Sequence, residues 1–91
     1  MNHAFERAVT EAIKRLQPGE VVSYDEIAQE AGFPGAARAV GNILARTEGL
    51  PWWRVVRSDG RLVAPNAKKQ ARLLRSEGVR VRNGRVLVQV K

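Results

Sequence analysis

The residues that attract a chemical reading are Trp52 and Trp53, side by side in Pro51-Trp52-Trp53-Arg54-Val55-Val56. If that segment is extended, the two indoles leave it on opposite sides, one packing inward and its neighbour facing a surface or cleft. An indole nitrogen is a hydrogen-bond donor only, so neither ring offers a nucleophile. The rest of the chain supplies none of the usual partners either: there is no cysteine, and the single histidine, His3, stands near the N-terminus as an ordinary surface residue. Disulfides and thiol catalysis are excluded, a zinc site lacks a ligand set, and no paired carboxylates flank the tryptophans. No catalytic residue, cofactor or metal is expected. The plainest alternative makes Trp53 core and Trp52 surface filler.

Charge points to the partner. Lys and Arg number 16 against nine Asp and Glu, a net of +7 in 91 residues. Through Phe33 there are three basic and six acidic residues, a net of −3; from Pro34 onward there are thirteen and three, a net of +10. An excess this one-sided is what neutralising phosphates requires, and it favours nucleic acid over a merely solvated surface. Ninety-one residues make a single domain, 1–91, with a thin core. No apolar run approaches the roughly 20 residues of a membrane span, and no basic leader precedes an apolar stretch, so the expectation is a cytoplasmic protein.

The elements that must position these groups read as follows. Phe5, Val9, Ala12, Ile13 and Leu16 keep helical spacing over Asn2–Leu16, ended by Pro18-Gly19. Glu20–Val22 reads as a brief strand. Ser23-Tyr24-Asp25-Glu26 is a capping box, in which the serine accepts from the Glu26 N–H and the glutamate reaches back to the serine N–H. A short helix to Ala31 stops at Gly32, and after the Phe33-Pro34-Gly35 turn a third helix runs from about Ala36 to Thr47. Two short helices around a tight turn outline a helix-turn-helix. Trp53–Arg57 and Arg61–Val63 read as strands around Ser58-Asp59-Gly60. Asn66 caps a helix over Ala67–Ser76 that Gly78 closes, and Asn83-Gly84 joins Val79–Arg82 to Arg85–Val90 as a hairpin. The fold class is α/β: a small winged helix-turn-helix domain, mostly helical, with short strands and a C-terminal hairpin.

The third helix sets Val40, Ile43, Leu44 and Thr47 on a core stripe. Its opposite stripe, Ala37, Arg38, Gly41, Asn42 and Ala45, is small apart from the arginine. An interior glycine costs about 1 kcal/mol relative to alanine. Gly41 therefore serves either close approach to a nucleic-acid groove, with Arg38 projecting beyond, or packing against another helix. Lys68, Arg72 and Arg75 share a helix face that either tracks phosphates or is solvated. Arg80, Arg82 and Arg85 either form a wing on a DNA backbone or protect an edge strand.

Five pieces in order carry a family resemblance: Val22-Ser23-Tyr24; Ala31-Gly32-x-Pro34-Gly35-Ala36-Ala37-Arg38-Ala39-Val40-Gly41; Pro51-x-x-Arg54-Val55-Val56; Ser58-x-Gly60; and Leu73-Leu74-x-x-Glu77-Gly78. From about Val21 to Gly78 the chain resembles the DNA-binding domain of the O6-alkylguanine-DNA alkyltransferases. Their active-site signature reads Pro-Cys-His-Arg-Val, so Trp52 stands at the acceptor cysteine and Trp53 at the histidine. With tryptophan for the cysteine, the chain looks like an alkyltransferase-like protein, although those usually read Pro-Trp-His-Arg-Val and keep the histidine.

The resemblance implies minor-groove binding, with Ala37, Ala39 and Gly41 seating the helix and Arg38 filling the base stack. Tyr24 would help rotate the phosphate, and Tyr24, Trp52, Trp53 and Val55 would form the lesion pocket. A guanidinium is flat and charged enough to stack and to bond an orphaned base. Arg61 and Lys68 both qualify as the cation that relatives can stack on the flipped base. The family's thiolate relay through histidine, water and glutamate is gone. Glu77 matches that glutamate but, with Trp53 at the histidine's place, has nothing to orient; its work would be local, on backbone or a basic neighbour.

The implied function is a non-enzymatic monomer that flips O6-alkylguanine out of double-stranded DNA, transfers no alkyl group, and flags the lesion for nucleotide excision repair proteins. The alternatives are a winged-helix transcription regulator, for which Ala37, Gly41 and Ala45 are poor base readers, and an enzyme of unrecognised chemistry.

Overall fold

A computed structural model describes residues 3–63 and 66–91. Helix α1 spans His3–Lys14 and buries Phe5, Val9, Ala12 and Ile13, the stripe its spacing predicts. The strand after it is β1, Val22–Ser23, which starts two residues later and ends one later than the expected Glu20–Val22. Glu20 is used otherwise: its backbone N–H bonds the Gln17 carbonyl and its carboxylate accepts the Gln17 N–H, which closes a turn.

Ser23 is then the N-cap of α2, Tyr24–Glu30, and its hydroxyl accepts the Glu26 N–H at 3.0 Å. The reciprocal half of the capping box is replaced. The Ser23 N–H donates to the Lys91 carbonyl at 2.9 Å, and the Lys91 N–H donates to the Val21 carbonyl, so the chain end lies along β1. Helix α2 closes as a Schellman motif, with Gly32 at φ +88° and bonds from Gly32 to Gln29 and Phe33 to Ala28. Phe33 then meets Phe5 edge-on at 4.8 Å, and α3 runs Ala37–Arg46, burying Val40 and Ile43.

The tryptophan segment departs from the expected strand. Trp52–Arg54 is a 3-10 turn, and only Val55–Val56 forms a strand, β2, pairing parallel to β1 with Val22 opposite Val55 and Ser23 opposite Val56. Successive residues of this ribbon face opposite ways. Val22 and Val55 enter the core formed by the first three helices; Val21 and Val56 enter a second core with Leu62, Ala71, Leu74, Val79, Val81 and Val86. The ribbon is the wall between them. Arg61–Val63 contributes an isolated bridge, Arg61 to Arg85, in place of a strand.

Helix α4, Ala67–Ser76, starts at Asn66 without a side-chain cap bond; Asn66 has φ −88° and ψ 12°, not the extended backbone from which a side chain caps. It ends in a second Schellman motif at Gly78. The hairpin is shorter than expected: β3, Val81–Arg82, pairs with β4, Arg85–Val86, through Asn83 at φ +52° and Gly84 at φ +74°, the pair of left-handed residues a type I′ turn demands. Among the described residues, four α-helices and these short strands make the α/β domain expected.

Candidate nucleic-acid interface

Tyr24 is the hinge of the site. As the first residue of α2 it is half-buried, and its ring faces Gly41 of α3: a Cβ built at Gly41 would lie 3.8 Å from Tyr24 Cε1. That is ordinary contact, so nothing inside the molecule requires glycine here. Gly41 thus abuts α2 through the Tyr24 ring, with room for one more methyl group. Burial pushes the Tyr24 phenol above its ordinary pKa, while the Arg57 guanidinium pulls it back; the hydroxyl is protonated at neutral pH and able to donate.

Two concavities meet at Tyr24 and Gly41. The first, about 710 Å³, is walled by Tyr24, Asp25, Ala37, Arg38, Gly41, Arg57, Ser58 and Val63. The second, about 420 Å³, runs deeper along α3 toward Trp52, with Leu44, Thr47, Val63, Asn66 and Gln70 on its walls. Tyr24 and Trp52 give it two aromatic walls and Leu44 and Val63 apolar ones, while Thr47, Asn66 and Gln70 supply polar groups, a lining that can take a flat ring with hydrogen-bonding edges. The first concavity is lined by Asp25, Arg38 and Arg57; Glu48 is the charged residue lining the second.

Trp52 and Trp53 cross at 87° with centroids 6.1 Å apart. The 3-10 turn, and not strand alternation, separates their destinations. Trp52 takes the concavity beside Tyr24, whereas Trp53 packs on the second core and donates from Nε1 to Glu77 Oε2 at 2.8 Å. The expectation that Glu77 has nothing to orient is thus corrected. Its carboxylate also accepts the Gly19 N–H at 2.8 Å and Arg54 Nη2 at 2.7 Å. Arg54 lies over the Trp53 ring at 5.1 Å and sends Nη1 to the Leu16 carbonyl. One carboxylate thereby ties the end of α4, the tryptophan turn and the turn that follows α1. Led by the Arg54 hydrogen bonds, these contacts hold the Glu77 pKa down at about 2.

Gln70 and Arg57 had no role in the sequence reading. Gln70 is buried; its Nε2 donates to the carbonyls of Trp53 and Val55, and its Oε1 accepts the Val63 N–H. Its signal was a polar residue on the Ala67-Gln70-Ala71-Leu74 stripe, where the core should be apolar. Arg57 had no signal, since one more arginine in a basic chain says nothing of where it points.

The predicted site residues divide accordingly. Tyr24, Ala37, Arg38 and Gly41 share the first concavity, and Trp52 joins Tyr24 and Gly41 in the second; Ala39 is half-buried on α3. Val55 is fully buried in the first core, and Trp53 lines neither concavity. Arg61 bridges to Arg85 and pairs with Asp59 at 3.5 Å, beside the hairpin, and Lys68 is exposed on α4. Arg75 donates to the Val81 carbonyl at 2.8 Å, which joins α4 to β3. Among the described residues no cluster of His, Cys, Asp or Glu could hold a metal, and no helix is long and apolar enough to cross a membrane.

Residues 4–79 match the family described as 6-O-methylguanine DNA methyltransferase, DNA binding domain. The chain belongs to this family. It is similar to the DNA base-flipping protein of Escherichia coli (strain K12), 40% identical over 83 residues that cover 86% of this chain and 64% of that protein. The chain thus spans somewhat under two thirds of that relative. The fold is similar to Schizosaccharomyces pombe Atl1 in complex with damaged DNA containing O6-carboxymethylguanine, at a TM-score of 0.85 and 28% identity over 100% of this chain and 92% of that one. It is also similar to Mycobacterium tuberculosis OGT in complex with DNA, at 0.71 and 35% over 85% and 51%.

Proposed function

We propose that residues 1–91 act as a single alkyltransferase-like domain that binds double-stranded DNA by its minor groove, turns O6-alkylguanine into a pocket, and transfers no alkyl group. The observation that carries this reading is the pair of concavities joined at Tyr24 and Gly41. One is walled by the groove-facing residues Ala37 and Arg38, and the other leads from the same tyrosine to Trp52. A nucleotide leaving a groove seated on α3 passes Tyr24 and arrives between aromatic walls. Gly41 lets the backbone approach, and Arg38 is exposed at the helix start to fill the vacated stack.

The chain holds no thiol, and the indole at position 52 cannot accept an alkyl group by displacement as a thiolate does. The product is then a lasting protein–DNA complex. In this reading a cytoplasmic monomer marks the lesion, and nucleotide excision repair proteins are the partners that act on it. The names of the similar base-flipping protein and the Atl1 complex support the binding role. The test is a titration of a duplex bearing one O6-methylguanine against the same duplex unmodified; preference for the lesion is expected, and equal affinity overturns the reading.

A further inference from the structure

Arg57 is a cation held firmly at its base and free at its tip. Its backbone N–H bonds the Arg61 carbonyl at 3.0 Å and its carbonyl accepts the Gly60 N–H at 2.8 Å. Gly60, at φ +87°, fixes that turn: a Cβ there would come within 3.3 Å of Arg85 Cγ and Val86 Cγ2. The guanidinium itself has no hydrogen bond or ion pair among the described residues, whereas Arg54, Arg61 and Arg75 are each committed to a carboxylate or a carbonyl. Arg57 and Ser58 line the concavity facing α3, across from Arg38, and the charge of Arg57 reaches the Tyr24 phenol. Asp25 is the one carboxylate on that wall, against two guanidiniums, so the concavity carries a net positive charge. Asp59 also feels the Arg57 charge, but its carboxylate is paired with Arg61, so an anion entering between Arg38 and Arg57 would meet two guanidiniums that have no ion pair among the described residues.

We propose that Arg57, with Ser58 beside it, binds a phosphodiester of the DNA strand at Tyr24, so that the strand is gripped between the turn after β2 and the start of α3. This rests on the DNA-binding reading above and adds to it a contact outside the helix-turn-helix. The anion is a backbone phosphate, so the contact is indifferent to sequence and to the lesion. It sets the strand against Tyr24, and Trp52 lies beyond.

The experiment is fluorescence anisotropy of a labelled, undamaged duplex with wild type, Arg57→Ala and Arg57→Lys, across about 50 to 200 mM salt. One lost phosphate contact lowers the slope of log affinity against log salt by about 0.9. Arg57→Ala is expected to show that loss, with Arg57→Lys close to wild type and the melting temperatures of all three alike. A wild-type slope in Arg57→Ala overturns the proposal while leaving DNA binding intact, as does a slope that Arg57→Lys fails to restore. No duplex binding by wild type overturns the functional reading and this contact together.

Discussion

The indole N–H of Trp53 donates to Glu77 at 2.8 Å across 24 residues of sequence, and Arg54 closes on the same carboxylate while lying over the Trp53 ring. The second tryptophan of the pair is thereby part of a structural clasp. Trp53 and Arg54 are held against α4, and this fixes the short turn from which Trp52 projects. The second tryptophan thus acts on the pocket through the first one's backbone.

The clasp predicts an acid-sensitive fold. The folded-state pKa of Glu77 is depressed to about 2 from an ordinary 4.5. A depressed carboxylate stabilises the fold fully above its unfolded pKa, and that stabilisation is lost as pH falls through the folded value. About 3 kcal/mol is expected to disappear between about pH 5 and pH 2, by the linkage of about 1.36 kcal/mol per pKa unit. Urea titrations of wild type and Glu77→Gln across that range should converge at low pH. Parallel curves would refute the assignment.

Truncations should separate the members of the clasp. Both charged side chains are nearly buried, 11% exposed for Arg54 and 12% for Glu77. Removing Glu77 strands the guanidinium, so Glu77→Ala should cost about 3–5 kcal/mol. Trp53→Phe deletes one charge-assisted hydrogen bond and leaves the pair intact, for about 1.5–3 kcal/mol. Chemical denaturation of both variants gives the ranking, and an equal or larger loss in Trp53→Phe would contradict it.

Much of this fold was legible because local signals agreed. The apolar stripes of α1, α3 and α4, the glycines at 32 and 78 and the Asn83-Gly84 turn each had one good solution. The errors occur where a distant residue competed. Lys91 takes the Ser23 N–H that Glu26 would have capped, and Glu77 binds Trp53 from beyond any local window. Val55 is β-branched in a strand between two cores, so pairing with Val22 buries it completely. The small residues Ala37 and Gly41 that line the first concavity stood out in the sequence of α3, but Arg57 and Gln70 needed the tertiary fold to give them direction.

If Arg38 fills the base stack, its loss should matter more than that of a peripheral cation. Insertion offsets part of an unstacking cost of a few kcal/mol. Arg38→Ala should therefore weaken binding to lesion-bearing duplex about tenfold or more, about 1.4 kcal/mol. Lys68→Ala, exposed on α4, should show no more than a small salt-dependent loss. Parallel titrations decide it; the reverse ranking would exclude an inserting arginine.

The absence of a thiol makes a sharp statement about transfer. After incubation with duplex carrying isotopically labelled O6-methylguanine, the label should remain with the DNA and the protein mass should stay constant. A protein heavier by one methyl group would overturn the binding-only reading, whichever residue carried it.

Gly41 offers the cleanest separation of stability from function. Alanine in a helix interior is favoured over glycine by about 0.5–1 kcal/mol. The added Cβ meets only the Tyr24 ring, at 3.8 Å, so Gly41→Ala should fold without strain and melt a few degrees higher. The same methyl group stands between the two concavities, on the face that the proposed function turns toward DNA, and in that reading should hold the helix away from the groove. Duplex affinity is expected to fall several-fold while the melting temperature rises. Thermal denaturation and anisotropy on one preparation measure both. A variant that gains stability and keeps full affinity would show that close approach of α3 is not what the glycine provides.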